Sequence, residues 1–180
     1  MKYKVLRDES VDYFGITLYR VKRLSDGLVG GFIESEANLS QEGSCFVYND
    51  AKVSGSARVF ESAEVSGLAR VSGSAEVSGS AKVSGSAWVS GSAEVFESAR
   101  VFESVTLRDF DEVKSSLDYV VLTFNPYVIT VTRCGVNIGC KSFSFDELEA
   151  LTEHEDYTNS SFERQKALIW MALDEILDND

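Results

Sequence analysis

From residue 31 to residue 107 the chain repeats one six-residue pattern of small, exposed-type and large aliphatic positions. The aliphatic position is held by Ile33, Leu39, Val47, then Val every six residues from Val53 to Val101, and finally Leu107. Two residues earlier stand Gly31, Ala37, Cys45, then Ala every six residues from Ala51 to Ala99, and Val105. Thirteen pairs obey the rule; two extra residues, around Gln41 and Glu42, separate Leu39 from Val47. Residues two apart on a strand face the same side, so both positions of each pair point inward and the residue between them points out. A helix needs a period near 3.6, which six does not supply. Val suits a pleated surface, and the Gly-Ser pairs fall where the chain must turn corners. So short a repeat predicts a solenoid. Three hexads make a triangular coil, and about four coils at roughly 4.8 Å each make a prism about 20 Å tall. Its open ends need caps.

The pattern VSGSAR, VFESAE, VSGLAR and their successors over residues 31–107 resembles the hexapeptide-repeat family. That resemblance implies a left-handed parallel β-helix, commonly trimeric. Right-handed bactofilins are a weaker match. The stretch GGFIESEANLSQEG, residues 30–43, resembles the opening of small phage and prophage hexapeptide-repeat proteins.

The flanks predict different elements. Residues 3–6 and 16–24 read as a strand pair forming an N-terminal β cap over residues 1–30. Residues 108–118 read as a charged connector between the β-helix and a C-terminal α+β domain spanning 119–180. There, strands are expected at 119–124, 127–133 and 136–140, with a turn at Asn125 and Pro126. Ser144 with Glu147, and Ser160 with Glu163, have the spacing of capping boxes. They predict a short helix through Leu151 and a final helix to about Asp178. On the final helix Phe162, Ile169, Ala172, Leu173 and Ile176 form one apolar stripe with Trp170 at its edge. That stripe is expected to pack on the tail's own sheet, with a subunit contact as the alternative. The fold class is therefore mainly β.

Composition narrows the functional classes. The net charge of −12 divides as +2 for residues 1–30, −5 for 31–107 and −9 for 108–180. An acidic surface opposes direct binding of nucleic-acid phosphates and suits a partner with a basic surface. No apolar run approaches membrane-spanning length and no secretory signal opens the chain, so the expected setting is cytoplasmic, without a membrane partner. Cys45 fills an inward slot, while Cys134 and Cys140 flank a hairpin; all three are read as reduced, with a Cys134–Cys140 bridge as the alternative.

Acyltransferases of the resembled family use a histidine general base near the solenoid wall, and its carbonic-anhydrase branch uses three histidine ligands. The one histidine here, His154, lies outside the repeats in an acidic stretch, where solvated carboxylates are favoured over a metal site. No phosphate-cradling or nucleophile-elbow motif occurs. The expectation is a non-enzyme with no cofactor and no metal.

Positions 18 apart should stack, so outward columns run Lys52, Arg70, Trp88, Thr106; Arg58, Glu76, Glu94; and Glu64, Lys82, Arg100. Trp88 interrupts a charged pattern. Phe60 and Phe96 share one corner column, and Tyr48 and Phe102 another, in place of the usual Ser. These five aromatics are the candidate binding residues, since exposed aromatics on such a surface mark contacts. Their competing role is packing against the caps or sister subunits. The leading functional reading is a trimeric interaction protein that binds and inhibits a host factor, such as a defence component against phage. A small-molecule or nucleotide sequestering protein using inter-subunit clefts comes second, a scaffold third and an acyltransferase last.

Overall fold

A computed structural model of the chain describes residues 1–102, 104–108, 111–115, 118–124, 127–138, 141–150 and 160–178, with backbone alone at 123–124, 127 and 160–165. Two compact units emerge, residues 1–116 and 117–180.

In the first unit the hexads form a parallel β-solenoid of about four coils. From Phe46 onward each side of a coil is a two-residue strand that pairs with those 18 residues away, as Lys82–Val83 does with Glu64–Val65 and Arg100–Val101. Across the insertion at Gln41–Glu42 the step is 20, as from Phe32 to Lys52. The first wall stacks Lys52–Val53, Arg70–Val71, Trp88–Val89 and Thr106–Leu107. The second stacks Arg58–Val59, Glu76–Val77, Glu94–Val95 and Glu112–Val113. The third runs from Phe46–Val47 to Arg100–Val101. Every Val from Val53 to Val101 and every Ala from Ala51 to Ala99 in the inward slots is fully buried. Each buried Val contributes about 1.5–3 kcal/mol relative to exposure.

Two details differ from the repeat reading. The ladder does not stop at Leu107: Glu112–Val113 adds a strand to the second wall, taking in part of the stretch read as a connector. Ala37 is exposed instead of inward, because residues Glu36–Asn38 form a 3-10 turn. Asn38 is buried in its place, donating through Nδ2 to the carbonyls of Gly55 and Ala57, both at 2.9 Å.

The corners turn at the second residue after each Val. Gly55, Gly67, Gly73, Gly79, Gly85 and Gly91 all have φ between 65° and 69° there. Glu61 and Glu97 occupy the same left-handed position at φ 58° and 55°. Gly43, Glu61, Gly79 and Glu97 stack in one column, and the Glu61 carboxylate accepts the Gly79 amide of the next coil at 2.6 Å. This bond offsets backbone strain that a glycine would avoid. A Cβ on Gly79 would stand 2.7 Å from the Glu97 nitrogen, so a side chain here forces the neighbouring coil to shift and glycine is favoured.

The N-terminal cap is an extension of the first wall. Strand β1 (Tyr3–Tyr13) pairs antiparallel with β2 (Ile16–Arg23), which pairs antiparallel with β3 (Val29–Ile33). β3 then pairs in parallel with Lys52–Val53. The inserted Gln41 anchors the start of β1: its Oε1 accepts from the Lys2 and Tyr3 amides, and its Nε2 donates to the Tyr3 carbonyl. The buried Tyr3 hydroxyl donates to the Leu39 carbonyl at 2.6 Å. Burial, with nearby Glu36 and Cys45, pushes its pKa up to about 12.

The second unit is a four-stranded antiparallel sheet with helices α1 (Phe145–Ala150) and α2 (Ser160–Leu177). Its strands are Tyr119–Phe124, Tyr127–Thr132, Val136–Ile138 and Lys141–Phe143. The third matches the expected strand over its described residues, 139 and 140 lying outside them, and the fourth is an element the sequence reading lacks. Ser144 and Glu147 do form the capping box: the Ser144 amide donates to Glu147 Oε2 at 2.9 Å, and the Glu147 amide donates to Ser144 Oγ at 3.2 Å. These bonds hold the Glu147 carboxyl below its usual range. Ile169, Ala172, Leu173 and Ile176 of α2 pack on Ile129, Val131, Val136, Ile138 and Leu148, as the stripe predicts. The turn at Asn125 and Pro126, Cys140, His154 and the Phe162 and Ser160 side chains lie outside the described residues. No helix among the described residues is long and apolar enough to cross a membrane.

Gly79→Ala is expected to cost about 1–3 kcal/mol from left-handed strain alone, read from denaturant unfolding. Because the folded pKa of Tyr3 is raised, its contribution is complete below pH 10 and is lost as pH rises from about 10 towards 12. The alkaline loss of stability is expected to be smaller in Tyr3→Phe, measured by unfolding at stepped pH.

Candidate functional site

Only one side chain per strand, the residue between the inward pair, projects from a wall. The first-wall column is Phe32, Lys52, Arg70, Trp88 and Thr106; the second is Arg58, Glu76, Glu94 and Glu112; the third is Phe46, Glu64, Lys82 and Arg100. The second and third walls carry ion pairs between coils: Arg58 with Glu76 at 3.1 Å and Lys82 with Glu64 at 3.0 Å. Such exposed pairs contribute about 0–1 kcal/mol each. Three carboxylates make the second wall acidic, whereas the first-wall column contains two cations and no acid.

The five candidate aromatics do not converge on one site. Phe60 and Phe96 share the corner between the second and third walls, two coils apart and half-buried. Arg58 lies 5.0 Å from the Phe60 ring centre and Lys114 lies 5.9 Å from that of Phe96. Tyr48 is tied to the cap. Its ring meets Phe46 edge-on at 5.1 Å, and Arg23 lies over both rings at 5.9 and 5.0 Å. Arg23 also clamps Asp26, Nη2 to Oδ2 at 2.6 Å, holding that carboxyl down to about 2. These three aromatics thus have intramolecular cover.

Phe102 and Trp88 keep more of their surface, at 47% and 38% exposed. Phe102 stands on the corner between the third and first walls, three coils beyond Tyr48 in the same column. Trp88 stands on the first wall, where its Nε1 donates to Ser72 Oγ at 3.4 Å and the Arg108 guanidinium lies 4.9 Å from its ring centre. Leu68, on the same corner as Phe102, is 59% exposed. It replaces the usual Ser of its hexad, a deviation that was visible in the repeat.

Other contributors carry no periodic signal. The β1–β2 hairpin brings Tyr13 over the first wall, 5.7 Å from both Lys52 Nζ and Arg70 Cζ. Phe14 at the hairpin tip meets Tyr13 edge-on at 4.7 Å and is 86% exposed. Phe32 is buried under Arg20, whose guanidinium lies 4.3 Å from its ring centre.

No protein-family model and no curated protein matches this chain. The solenoid and its surface therefore carry the functional reading.

Phe46 and Trp88 separate structural from surface aromatics. Phe46→Ala is expected to cost about 3–5 kcal/mol, as for a buried ring. Trp88→Ala should cost at most about 1 kcal/mol, the scale of an exposed cation–π contact. Unfolding curves of the two variants distinguish these outcomes.

Proposed function

We propose that this chain is a non-enzymatic interaction protein of the hexapeptide-repeat type, acting in the cytoplasm as a homotrimer that binds a protein partner. The observation that carries this reading is the exposed set Leu68, Trp88 and Phe102 along one edge of a wall otherwise built from Ser, Gly and charged residues. Large exposed apolar side chains on such a background favour docking, and aromatic anchors dominate interface energetics. Stacking holds these residues on a preorganised surface, which lowers the entropy cost of association. The acidic second wall, with Glu76, Glu94 and Glu112, favours a basic partner surface. In the phage-like setting implied by residues 30–43, the partner is a host factor whose activity is blocked by occupancy.

The tagged protein is expected to capture one dominant protein from a bacterial lysate. Leu68→Ser/Phe102→Ser should lose that protein while keeping the same oligomeric mass. Equal capture by the variant would remove this edge as the docking surface, and a native mass other than three chains would overturn the trimer.

A further inference from the structure

The first-wall column holds two cations and no acid, whereas the second and third walls each carry an ion pair between coils. Among the described residues no carboxylate pairs with Lys52 or Arg70. Lys52 Nζ donates to the Asp50 main-chain carbonyl at 3.1 Å, while the Asp50 carboxylate is engaged by Arg20 at 2.9 Å. The Tyr13 ring lies equally near both cations, but a ring quadrupole attracts a cation without neutralising it. Arg70 is exposed, and Lys52 precedes it by one coil.

Backbone stacking places these two positions about 5 Å apart, close enough for both side chains to reach one phosphate group. Trp88 follows Arg70 at the next coil, in direct register. Its indole remains 38% exposed, and the hairpin supplies Phe14 at 86% exposure beside Tyr13. Two cations, Lys52 and Arg70, are thus followed along one line by Trp88, whose ring meets Arg108 at 4.9 Å and keeps part of its surface exposed, with the hairpin rings at the side. The occupant that satisfies both halves is an anion carrying a planar ring. Carboxylates of an acidic peptide would use the cations and leave the rings without a purpose. A long polyanion would meet the remaining acidic surface of a chain with net charge −12, whereas a small ligand sits within one Debye length of the local cations.

We propose that the first wall and the β1–β2 hairpin tip bind a small nucleotide, its phosphate on Lys52 and Arg70 and its base against the exposed ring of Trp88. The site belongs to one prism and needs no inter-subunit cleft. It shares Trp88 with the protein-docking edge, but Lys52 and Arg70 play no part there, so substitutions at those two cations separate the two sites.

The chain has two tryptophans, Trp88 and Trp170, so Trp170→Phe leaves Trp88 as the sole emitter. Titration of that full-length variant with AMP, ADP, GMP, CMP and UMP should give saturable quenching by at least one nucleotide. Adenosine and inorganic phosphate alone should each bind at least tenfold more weakly than that nucleotide. Adding Lys52→Ala/Arg70→Ala should weaken binding at least tenfold with unchanged circular dichroism and oligomeric mass, while Leu68→Ser/Phe102→Ser should leave it intact. No saturable quenching by any of the five would overturn the proposal. So would equal affinity for phosphate, equal affinity in the Lys52/Arg70 variant, or quenching by a single-stranded oligonucleotide alone.

Discussion

Everything in the first unit depends on coil-on-coil backbone pairing, at an 18-residue step that lengthens to 20 only across the insertion at Gln41–Glu42. A two-residue strand has almost no stability of its own; it exists because the coils on either side accept and donate its amide bonds. The inward slots must then be filled by side chains of nearly fixed size, Val at the wall and Ala beside the corner, or the coils would fall out of step. The corners obey the same constraint. A side chain in the left-handed position projects towards the next coil, so glycine dominates there, and Glu61 is accommodated above Gly43 and below Gly79 by giving its carboxylate to the next amide. Strain at one corner is offset by a bond to its neighbour.

The same constraint leaves few positions for function to vary. With both inward slots and the corner glycines committed, one outward residue per strand, the residue after each Val and the residue before each inward Ala, where Leu68 stands, remain. They divide the prism into three chemically distinct walls. The second is acidic, the third self-compensated and the first basic with an open indole. Insertions are tolerated where they grip something: Gln41 interrupts the repeat and in doing so holds the start of β1. β1 and β2 then reach past the end of β3 and bring Tyr13 to Lys52 and Arg70, so an irregularity at one corner bears on the surface of a wall.

The solenoid was legible because periodicity reports backbone stacking directly; the 18-residue registers follow by arithmetic from the hexads. Reading failed where tertiary contacts override the period. Ala37 fits the small slot by spacing, yet Asn38 takes the interior because its amide satisfies the Gly55 and Ala57 carbonyls. Glu112–Val113 was hidden because the six residues before it lack the Ser-Gly signature of a corner. The candidate aromatics were visible as departures from Ser, but whether each was covered was not. Cover comes from Arg23, Arg58 and Lys114, and only the folded stack shows which cation lies beside which ring. Tyr13 and Phe14 could not be assigned to the wall at all, since their place depends on how the hairpin curls.

A basic, ring-bearing wall on a chain of net charge −12 is a statement about selectivity. Long-range repulsion falls off over about 8–10 Å at physiological ionic strength, so it discriminates by ligand size. An extended polyanion spans the acidic second wall as well as the first, whereas a mononucleotide experiences chiefly the two cations beneath it. Solubility alone would be met equally well by cations scattered among the carboxylates, as on the third wall, where Lys82 faces Glu64. Segregation of Lys52 and Arg70 away from acids does nothing for solubility and leaves both charges uncompensated beside exposed rings. That arrangement becomes favourable when an anion arrives to share it, and the rings then restrict which anions qualify.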